Sequence, residues 1–248
     1  GKKGMRQVTV VTDFDAHAFW VNQPCERYFV ATPEAALSLA HWGVPRETIE
    51  ITGIPIHPVF SAPKDPAAMR AKHGLSADRP VVLLLGGGFG VGPVEKIHAG
   101  LLALERPLHV VAVCGRNAGL KGRLEAAKVP ARHRSTVLGF TTEMDELLAA
   151  AELAVTKPGG LTTSECLARG TAMVVMNPIP GQESRNSDWL LEHGAAVKVN
   201  SISALSWKIA GVLETPGRLA GLRRAARELG RPGAAFAVAE RVLGLTGG

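Results

Sequence analysis

Residues 153–165 constrain the fold of this chain more than any other segment. They read Leu-Ala-Val-Thr-Lys-Pro-Gly-Gly-Leu-Thr-Thr-Ser-Glu, a short apolar run followed by a Gly-Gly turn and a helical pattern. A strand that enters a helix through such a tight turn leaves the first backbone N–H groups of the helix free, and the positive end of the helix dipole faces the same point. We therefore expect an anion to bind at this turn.

Glu165 adds a second element to this pattern, because it lies about one turn inside the predicted helix. Its carboxylate is close enough to accept hydrogen bonds from both hydroxyl groups of a ribose whose phosphate sits at the turn. Strand, phosphate turn and carboxylate together predict a nucleotide ligand. The alternative is an ordinary strand-to-helix turn of an α/β domain, which needs glycine but neither the Thr-Thr-Ser run nor a carboxylate.

Short β-rich runs alternate with helical segments along the chain, a pattern typical of parallel sheets covered by helices. Strands are predicted at residues 7–12, 27–31, 49–52, 81–85, 109–114, 136–138, 153–156, 172–176 and 196–199. Helices are predicted at residues 32–42, 66–73, 92–104, 119–127, 143–150, 161–169, 186–193, 203–213 and 217–229. The fold class expected from this alternation is α/β.

A proline-rich polar segment at residues 60–66 reads as a linker and divides the chain. Residues 63–230 are predicted to form a complete Rossmann-like domain. Residues 1–62 hold too few strands to bury a core alone, so they are interpreted as the last part of a domain whose front part is absent. The first residue, Gly1, is not an initiator Met, so a fragment or a processed chain is expected. Residues 231–248 are predicted to form a helix that packs back towards the first domain.

The formal net charge of +6 is compatible with several partners. Nucleic acid is not expected, because the basic residues are scattered and no cluster combines them with aromatic residues. An anionic membrane surface or a phosphorylated substrate fits the charge as well, and so does a coding bias towards Arg and Ala.

The chain shows no sign of a membrane span or a signal peptide, since no apolar run approaches the roughly 20 residues that a spanning helix needs. A cytoplasmic location is therefore expected. The three cysteines, Cys25, Cys114 and Cys166, match no metal-binding or redox spacing and are predicted to be core residues in a reducing compartment.

Two further loops support a nucleotide site. Residues 81–90 form an apolar strand that enters a glycine-rich turn, where backbone can approach phosphates closely. The turn is not a Walker motif, and the acidic residue that would bind an NAD ribose is absent about 20 positions on, which argues against a dehydrogenase. In the other loop, after the predicted strand at 136–138, a base could lie against Phe140, although a phenylalanine here is more often a core residue.

Several motifs follow one another in a specific order along nearly the whole chain. They are Val11-Thr-Asp-Phe-Asp-Ala-His-Ala-Phe-Trp20, Thr52-Gly-Ile-Pro-Ile-His-Pro58, the glycine loop at residues 86–90, Cys114-Gly-Arg-Asn117, Gly139-Phe-Thr141, Thr156-Lys-Pro-Gly-Gly160 and Pro180-Gly-Gln-Glu183. In this order they resemble the bacterial and plastid diacylglycerol glycosyltransferases of glycosyltransferase family 28. This family includes monogalactosyldiacylglycerol synthase and the processive diacylglycerol glucosyltransferases, and it is similar to the MurG N-acetylglucosaminyltransferase.

The resemblance implies a two-lobed GT-B fold whose second lobe holds most of a UDP-sugar, with the first lobe only partly present. It implies that the ribose lies at Glu165, the uracil at Phe140 and Thr141, and the hexose at Gln182 and Glu183, on the loop after the strand at 172–176. The remaining residues implied by the resemblance contact the phosphates: Gly160, Leu161, Thr162 and Thr163 from one side, and Gly88 and Phe89 from the other.

The resemblance also implies transfer of a hexose, with inversion and without a bound metal, to the free hydroxyl of diacylglycerol. Such a transfer needs a base for the alcohol and a stabiliser for the leaving diphosphate. The sequence has no aspartate cluster suited to Mg²⁺, so helix-terminus amides are expected to stabilise the diphosphate. The base usual in the family lies in an N-terminal glycine-rich loop that precedes Gly1. Asp13 and His17 are the candidates in this chain, and His17 could equally be a core or surface residue.

The sequence therefore predicts a UDP-hexose-dependent glycosyltransferase of membrane glycolipid synthesis. Its partners would be UDP-glucose or UDP-galactose and diacylglycerol at a membrane surface, with no further cofactor and with peripheral membrane association. One alternative is a donor-binding half-protein that is inactive without a separate acceptor domain, and another is a MurG-like UDP-GlcNAc transferase. A UDP-sugar epimerase with similar lobes is less favoured, because the motifs match lipid transferases throughout.

Overall fold

A computed structural model describes residues 6–87, 92–176 and 178–246, and it contains two parallel β-sheets. The first sheet is ordered β1-β2-β3, formed by Val8–Val10 (β1), Arg27–Val30 (β2) and Ile49–Ile51 (β3). The second sheet is formed by Val81–Leu85 (β4), His109–Val113 (β5), Arg134–Leu138 (β6), Leu153–Thr156 (β7), Ala172–Met176 (β8) and Ala196–Val199 (β9). Every strand pair is parallel, which confirms the predicted α/β class.

Helices follow or separate the strands along the chain. They are Pro33–His41 (α1), Pro66–Lys72 (α2), Val94–Leu102 (α3), Ala118–Glu125 (α4), Met144–Ala150 (α5), Gly160–Arg169 (α6), Gln182–Glu192 (α7), Leu205–Glu214 (α8), Arg218–Leu229 (α9) and Ala234–Thr246 (α10). Short 3-10 helices lie at Ala18–Trp20, Arg46–Thr48, Pro58–Ser61 and Ile202–Ala204. Among the residues described, no helix is both long and apolar enough to cross a membrane.

The prediction for α7 was wrong at its start, since the helix begins at Gln182 and not at Asn186. Gly181, with φ of 99°, turns the chain so that the helix can begin immediately after it. The first turn carries Gln182, Glu183, Ser184 and Arg185, none of which is buried, so it has no apolar periodicity that the sequence could reveal.

The strands of the six-stranded sheet lie in the order β6-β5-β4-β7-β8-β9. From β4 the chain adds strands towards one edge up to β6 and then towards the other edge from β7, so the direction of strand addition reverses between β4 and β7. In such a doubly wound sheet, ligands bind in the crevice outside the carboxyl ends of the strands at this reversal. The segment after β7 is the Gly-Gly turn that the sequence singled out. The topology therefore places this turn at the crevice.

The two faces of the second sheet bury different helices. Because side chains alternate along a strand, Val81 and Leu83 pack in one apolar cluster with residues of α5, α6, α7 and α9, while Val82 and Leu84 pack in another with residues of α3, α4 and α8. Cys166 lies in the first cluster and Cys114 in the second, as predicted, whereas Cys25 is only partly buried. This layered core holds the strand ends in fixed positions.

The two sheets meet at the start of α6. The carbonyl oxygen of Thr12, which follows β1, approaches Gly160 so closely that a Cβ atom at Gly160 would lie 1.9 Å from it. Close backbone contact at this junction therefore requires glycine at position 160.

Residues after 230 also contact the first part of the chain. Arg241 Nε lies 2.9 Å from Glu50 Oε2, and Ser61 donates a hydrogen bond of 2.8 Å to the Pro232 carbonyl.

Gly160→Ala is expected to lower the free energy of unfolding by about 1–3 kcal/mol, because the new methyl group would overlap the Thr12 carbonyl. Alanine favours helices, so helix propensity cannot account for such a loss. Gly159→Ala is the matched control: its backbone is at φ −69° and ψ 142°, and the nearest atom to a new Cβ is Glu183 Oε1 at 3.8 Å. Urea unfolding of both variants measures the difference, and equal stabilities would contradict the close approach.

Candidate functional site

A pocket of about 140 Å³ opens at the carboxyl ends of β4, β5 and β6, beside the first turns of α6. Its lining comes from the ends of these strands and from α5 and α6: Leu85, Gly87, Val113, Gly115, Phe140, Thr141, Met144, Thr162 and Glu165. The pocket thus brings together Phe140, Thr141, Thr162 and Glu165, which the sequence analysis had proposed from separate segments. Gly88 and Phe89, proposed for the same site, lie outside the described residues.

Glu165 is a partly buried carboxylate on the wall of this pocket. Burial raises its pKa to about 7, because the charged form loses solvation. Within the described ranges, no side chain or backbone N–H donates a hydrogen bond to it. A partly buried carboxylate without a donor is unfavourable unless a ligand supplies one, so this side chain is poised to accept hydrogen bonds from hydroxyl groups in the pocket.

Phe140 is not a core residue, since 64% of its surface is exposed. The guanidinium carbon of Arg116 lies 5.5 Å from the centroid of its ring, a cation–π distance that holds the ring at the pocket entrance. Thr141 steadies the same loop, because its hydroxyl oxygen accepts a hydrogen bond of 3.0 Å from the Glu143 N–H. An exposed, oriented aromatic ring beside a pocket is suited to stacking against a flat base.

The N-terminus of α6 lies beside this pocket. Gly159, which caps the helix, forms no side-chain hydrogen bond to it, so the N–H groups of Gly160, Leu161 and Thr162 precede the first bond of the helical ladder. Thr163 does not fit the phosphate role predicted for it: its N–H donates to the Gly159 carbonyl at 2.9 Å, and its hydroxyl is fully buried without a hydrogen-bond partner. The free amides are those of the three preceding residues.

Gln182 and Glu183 lie in the first turn of α7 and not on a loop, as the sequence analysis had expected. Glu183 Oε2 accepts a hydrogen bond of 2.7 Å from the Ile179 N–H, which closes the turn before the helix. Its other oxygen lies 3.8 Å from the position that a Cβ atom of Gly159 would occupy. Glu183 is therefore next to the Gly-Gly turn that precedes α6.

Asp13 and His17, the candidate bases, have different surroundings. Asp13 Oδ1 accepts a hydrogen bond of 2.9 Å from Asn186 Nδ2, and the same nitrogen donates to the Pro158 carbonyl at 3.0 Å. Asp13 thus lies beside the turn that leads into α6. His17 Nδ1 accepts a hydrogen bond of 3.2 Å from the Phe19 N–H and caps the 3-10 helix Ala18–Trp20. The structure gives His17 a local structural contact and places Asp13 at the junction.

Sequence reasoning did not propose Asn186 or Arg116 as site residues. Asn186 is completely buried and bonds to groups far away along the chain. In the local sequence it looks like any other polar residue of an amphipathic helix. Arg116 stands in the Cys114–Asn117 motif, and its position over Phe140 depends on the pairing of β5 with β6. For Arg116, its place in the Cys114–Asn117 motif was the available signal.

A possible metal-ligand group lies at the start of α5, next to the Thr141 loop. His73, Glu143 and Glu146 could each offer one ligand atom. The ammonium nitrogen of Lys72 lies 2.8 Å from Glu143 Oε1 and 2.6 Å from Glu146 Oε2, so a cation of the protein already occupies the space between these carboxylates. An ion-pair network accounts for this group.

The order of the six strands and the pocket at their carboxyl ends are features of a ligand-binding α/β lobe. The chain belongs to the family of group 1 glycosyl transferases, whose family model matches residues 68–229. Residues 2–56 match the family model of monogalactosyldiacylglycerol (MGDG) synthase. The predicted resemblance to diacylglycerol glycosyltransferases is confirmed.

Two similar proteins align with most of this chain. A processive diacylglycerol beta-glucosyltransferase of Bacillus pumilus is 32% identical over 220 residues, which are 89% of this chain and 57% of that protein. The chain therefore spans somewhat more than half the length of this relative. The structure of MurG from Acinetobacter baumannii aligns with a TM-score of 0.70 at 21% identity, covering 97% of this chain and 67% of that one.

A third similar protein, HepE of Anabaena in complex with UDP, aligns with a TM-score of 0.63 at 16% identity over 96% of this chain and 72% of that one. Together with MurG, it shows the fold, which confirms the predicted GT-B architecture of two Rossmann-like sheets. The roles of individual site residues stay predictions.

The prediction that ribose hydroxyls bind the ionised form of Glu165, whose pKa is about 7, implies that UDP affinity rises about tenfold between pH values of about 6 and 8. Glu165→Gln removes this titration and should leave only the pH dependence that comes from the UDP phosphate. Isothermal titration calorimetry of both proteins across this range measures the difference. Identical slopes for parent and variant would show that Glu165 does not contact the nucleotide.

Proposed function

We propose that this chain binds a UDP-hexose in the crevice of the second sheet and serves in transfer of the hexose to diacylglycerol. The observation that carries the proposal is the partly buried Glu165 carboxylate, which receives no hydrogen bond from the residues that the structure describes and lines a pocket at the carboxyl ends of the strands. The similarity to a diacylglycerol glucosyltransferase supports this choice of substrate class.

The surroundings of the pocket suit each part of the donor. Ribose hydroxyls donate to Glu165, and the uracil lies against the exposed ring of Phe140 and the main chain near Thr141. The diphosphate meets the free amides of residues 160–162, where the positive end of the α6 dipole also lies. Gln182 and Glu183, in the first turn of α7 next to the Gly-Gly turn, contact the hexose hydroxyls.

The reaction in this proposal is an inverting displacement. The free hydroxyl oxygen of diacylglycerol forms a bond to the anomeric carbon, the bond from that carbon to the diphosphate oxygen breaks, and UDP leaves. The amides at the start of α6 stabilise the charge that develops on the diphosphate, so the step uses no resident metal. A carboxylate at the junction takes the hydroxyl proton, and Asp13 is the candidate in this chain.

The name of the Bacillus pumilus relative favours glucose over galactose as the hexose. Diacylglycerol lies in membranes, so the protein that carries this chain would work as a peripheral protein at a membrane surface, from the cytoplasmic side. The basic net charge of +6 supports attraction to anionic lipid.

A second candidate function is donor binding without catalysis. It is favoured by one observation: this chain spans 57% of the length of the Bacillus pumilus relative. In this case residues 63–230 bind the donor, residues 1–62 contribute only the last part of an acceptor lobe, and transfer depends on groups supplied by another polypeptide segment. Proximity and base catalysis both depend on a complete cleft.

Binding and transfer are measured separately to test these functions. UDP-glucose, UDP-galactose and UDP-GlcNAc are titrated into the chain in the presence of EDTA, and each is then incubated with the chain and vesicles that contain diacylglycerol. We expect UDP-glucose to bind in EDTA. Glucosyl-diacylglycerol formation supports the first function, whereas binding without product supports the second.

Two variants test whether the hexose lies at the first turn of α7. Gln182→Ala and Glu183→Ala should weaken UDP-glucose binding more than UDP binding, since their turn faces the hexose. Failure of every nucleotide to bind would overturn both functions, and binding of UDP-GlcNAc alone would favour a MurG-like transferase. Binding only after addition of Mg²⁺ would contradict the metal-independent site.

A further inference from the structure

We infer that Asn186 is a positioning residue that couples the donor-binding turn of the second sheet to Asp13 of the first sheet region. We call its three hydrogen bonds, to Asp13, Phe14 and Pro158, the Asn186 bridge. The inference rests on the proposed function, because it assigns a role to the bridge in the response to the nucleotide. None of the residue roles proposed above from sequence patterns includes Asn186.

The Asn186 bridge uses both N–H donors and the oxygen of a buried amide that contacts two segments, residues 13–14 and Pro158. Oδ1 accepts from the Phe14 N–H at 2.8 Å, while Nδ2 donates to Asp13 Oδ1 at 2.9 Å and to the Pro158 carbonyl at 3.0 Å. The side chain has no exposed surface. Only this orientation of the amide satisfies one donor and two acceptors, so the bridge has a single arrangement and leaves no N–H for a sugar.

Further contacts on the same helix join the same segments. One turn after Asn186, the ring of Trp189 stacks on the ring of Phe14 with centroids 4.6 Å apart. Next to Asn186, Arg185 pairs with Asp15. Residues 13–15 are therefore held by residues from two successive turns of α7, the helix whose first turn carries the proposed hexose-binding residues.

The positions of the three bridge partners give the bridge its consequence. Pro158 immediately precedes Gly159 and Gly160, where the diphosphate is proposed to bind. Asp13 is the candidate base. Because Asn186 bonds both to Pro158 and to residues 13 and 14, ordering of the turn by a nucleotide is transmitted through Asn186 to the carboxylate of Asp13 and the N–H of Phe14.

Hydrogen exchange in the parent chain, with and without saturating UDP, tests this transmission. We expect UDP to slow exchange of the Phe14 N–H, although UDP is proposed to bind only at the second sheet. In Asn186→Asp, a carboxylate faces the Asp13 carboxylate and the Pro158 carbonyl. The UDP-dependent protection of Phe14 should then be lost, and UDP should bind about tenfold more weakly, a usual size of coupling between sites.

Two further variants separate positioning from general stability. Asp13→Asn combined with Asn186→Asp restores an amide–carboxylate pair between positions 13 and 186 but leaves the Pro158 carbonyl without its donor. It should remove the repulsion between two carboxylates without recovering the UDP-dependent protection of Phe14. Ser187→Ala is the matched control, because Ser187 is the next residue of α7, is also completely buried, and has a hydroxyl without a hydrogen-bond partner. This variant should behave as the parent.

The outcomes distinguish this inference from the proposed function. If UDP binds to the parent but leaves exchange at Phe14 unchanged, the coupling is wrong while the nucleotide site stands. If the double variant recovers the UDP-dependent protection of Phe14 although Pro158 has no donor, the effect does not pass through the bridge and the positioning role is overturned. If Ser187→Ala loses the protection as well, the effect is only one of packing and the positioning role is likewise overturned. If UDP does not bind to the parent, both the inference and the proposed function fail.

Discussion

The approach of the Thr12 carbonyl to the start of α6 is the constraint on which the rest of this structure depends. A backbone oxygen can reach this helix only because residue 160 lacks a side chain. The contact brings the end of β1 to the Gly-Gly turn after β7, and Asn186 then satisfies polar groups from both sides of the junction. Without this approach, Asp13 would not lie beside the turn that leads into α6.

The second sheet carries a pocket whose wall includes the partly buried carboxyl group of Glu165. Since the pKa of Glu165 in the folded chain lies above its ordinary value of 4.5, the folded chain binds a proton more tightly than the unfolded chain does. Ionisation of Glu165 therefore lowers the free energy of unfolding as the pH rises from about 4.5 to about 7. Hydroxyl groups of a ligand would offset this loss, which explains why a stable core carries such a residue at a pocket.

The sequence predicted those features whose residues stand close together along the chain. The strand at 153–156, the turn and Glu165 stand in one continuous segment, so their spacing predicts both the fold and the ligand class, and the observed β7 has the predicted bounds. Phe140 was assigned to the uracil through the family resemblance, whereas its residue type alone favoured the core. Its exposure depends on the ends of β4, β5 and β6 meeting at one edge, which a single loop does not reveal.

Other features depend on contacts between distant parts of the chain. Asn186 bonds to Phe14, 172 positions away, and nothing in the sequence around either residue indicates that partner. Thr163 was assigned to the phosphates through the family resemblance, yet the rotation of α6 buries it while Thr162 and Glu165 face the pocket. The start of α7 was missed because polar residues at a helix terminus lack periodicity. Which polar side chains are buried thus depends on the fold and could not be predicted from the sequence.

The central claim is that the unpaired carboxylate of Glu165 binds the ribose of a nucleotide whose phosphates lie at the start of α6. A crystal structure of the chain with bound UDP tests it most directly. The account predicts both ribose hydroxyls within hydrogen-bond distance of Glu165, the β-phosphate at the N–H groups of residues 160–162, and the base against Phe140. A nucleotide bound elsewhere, or one whose phosphates lie at Glu165 instead of the ribose, would contradict it.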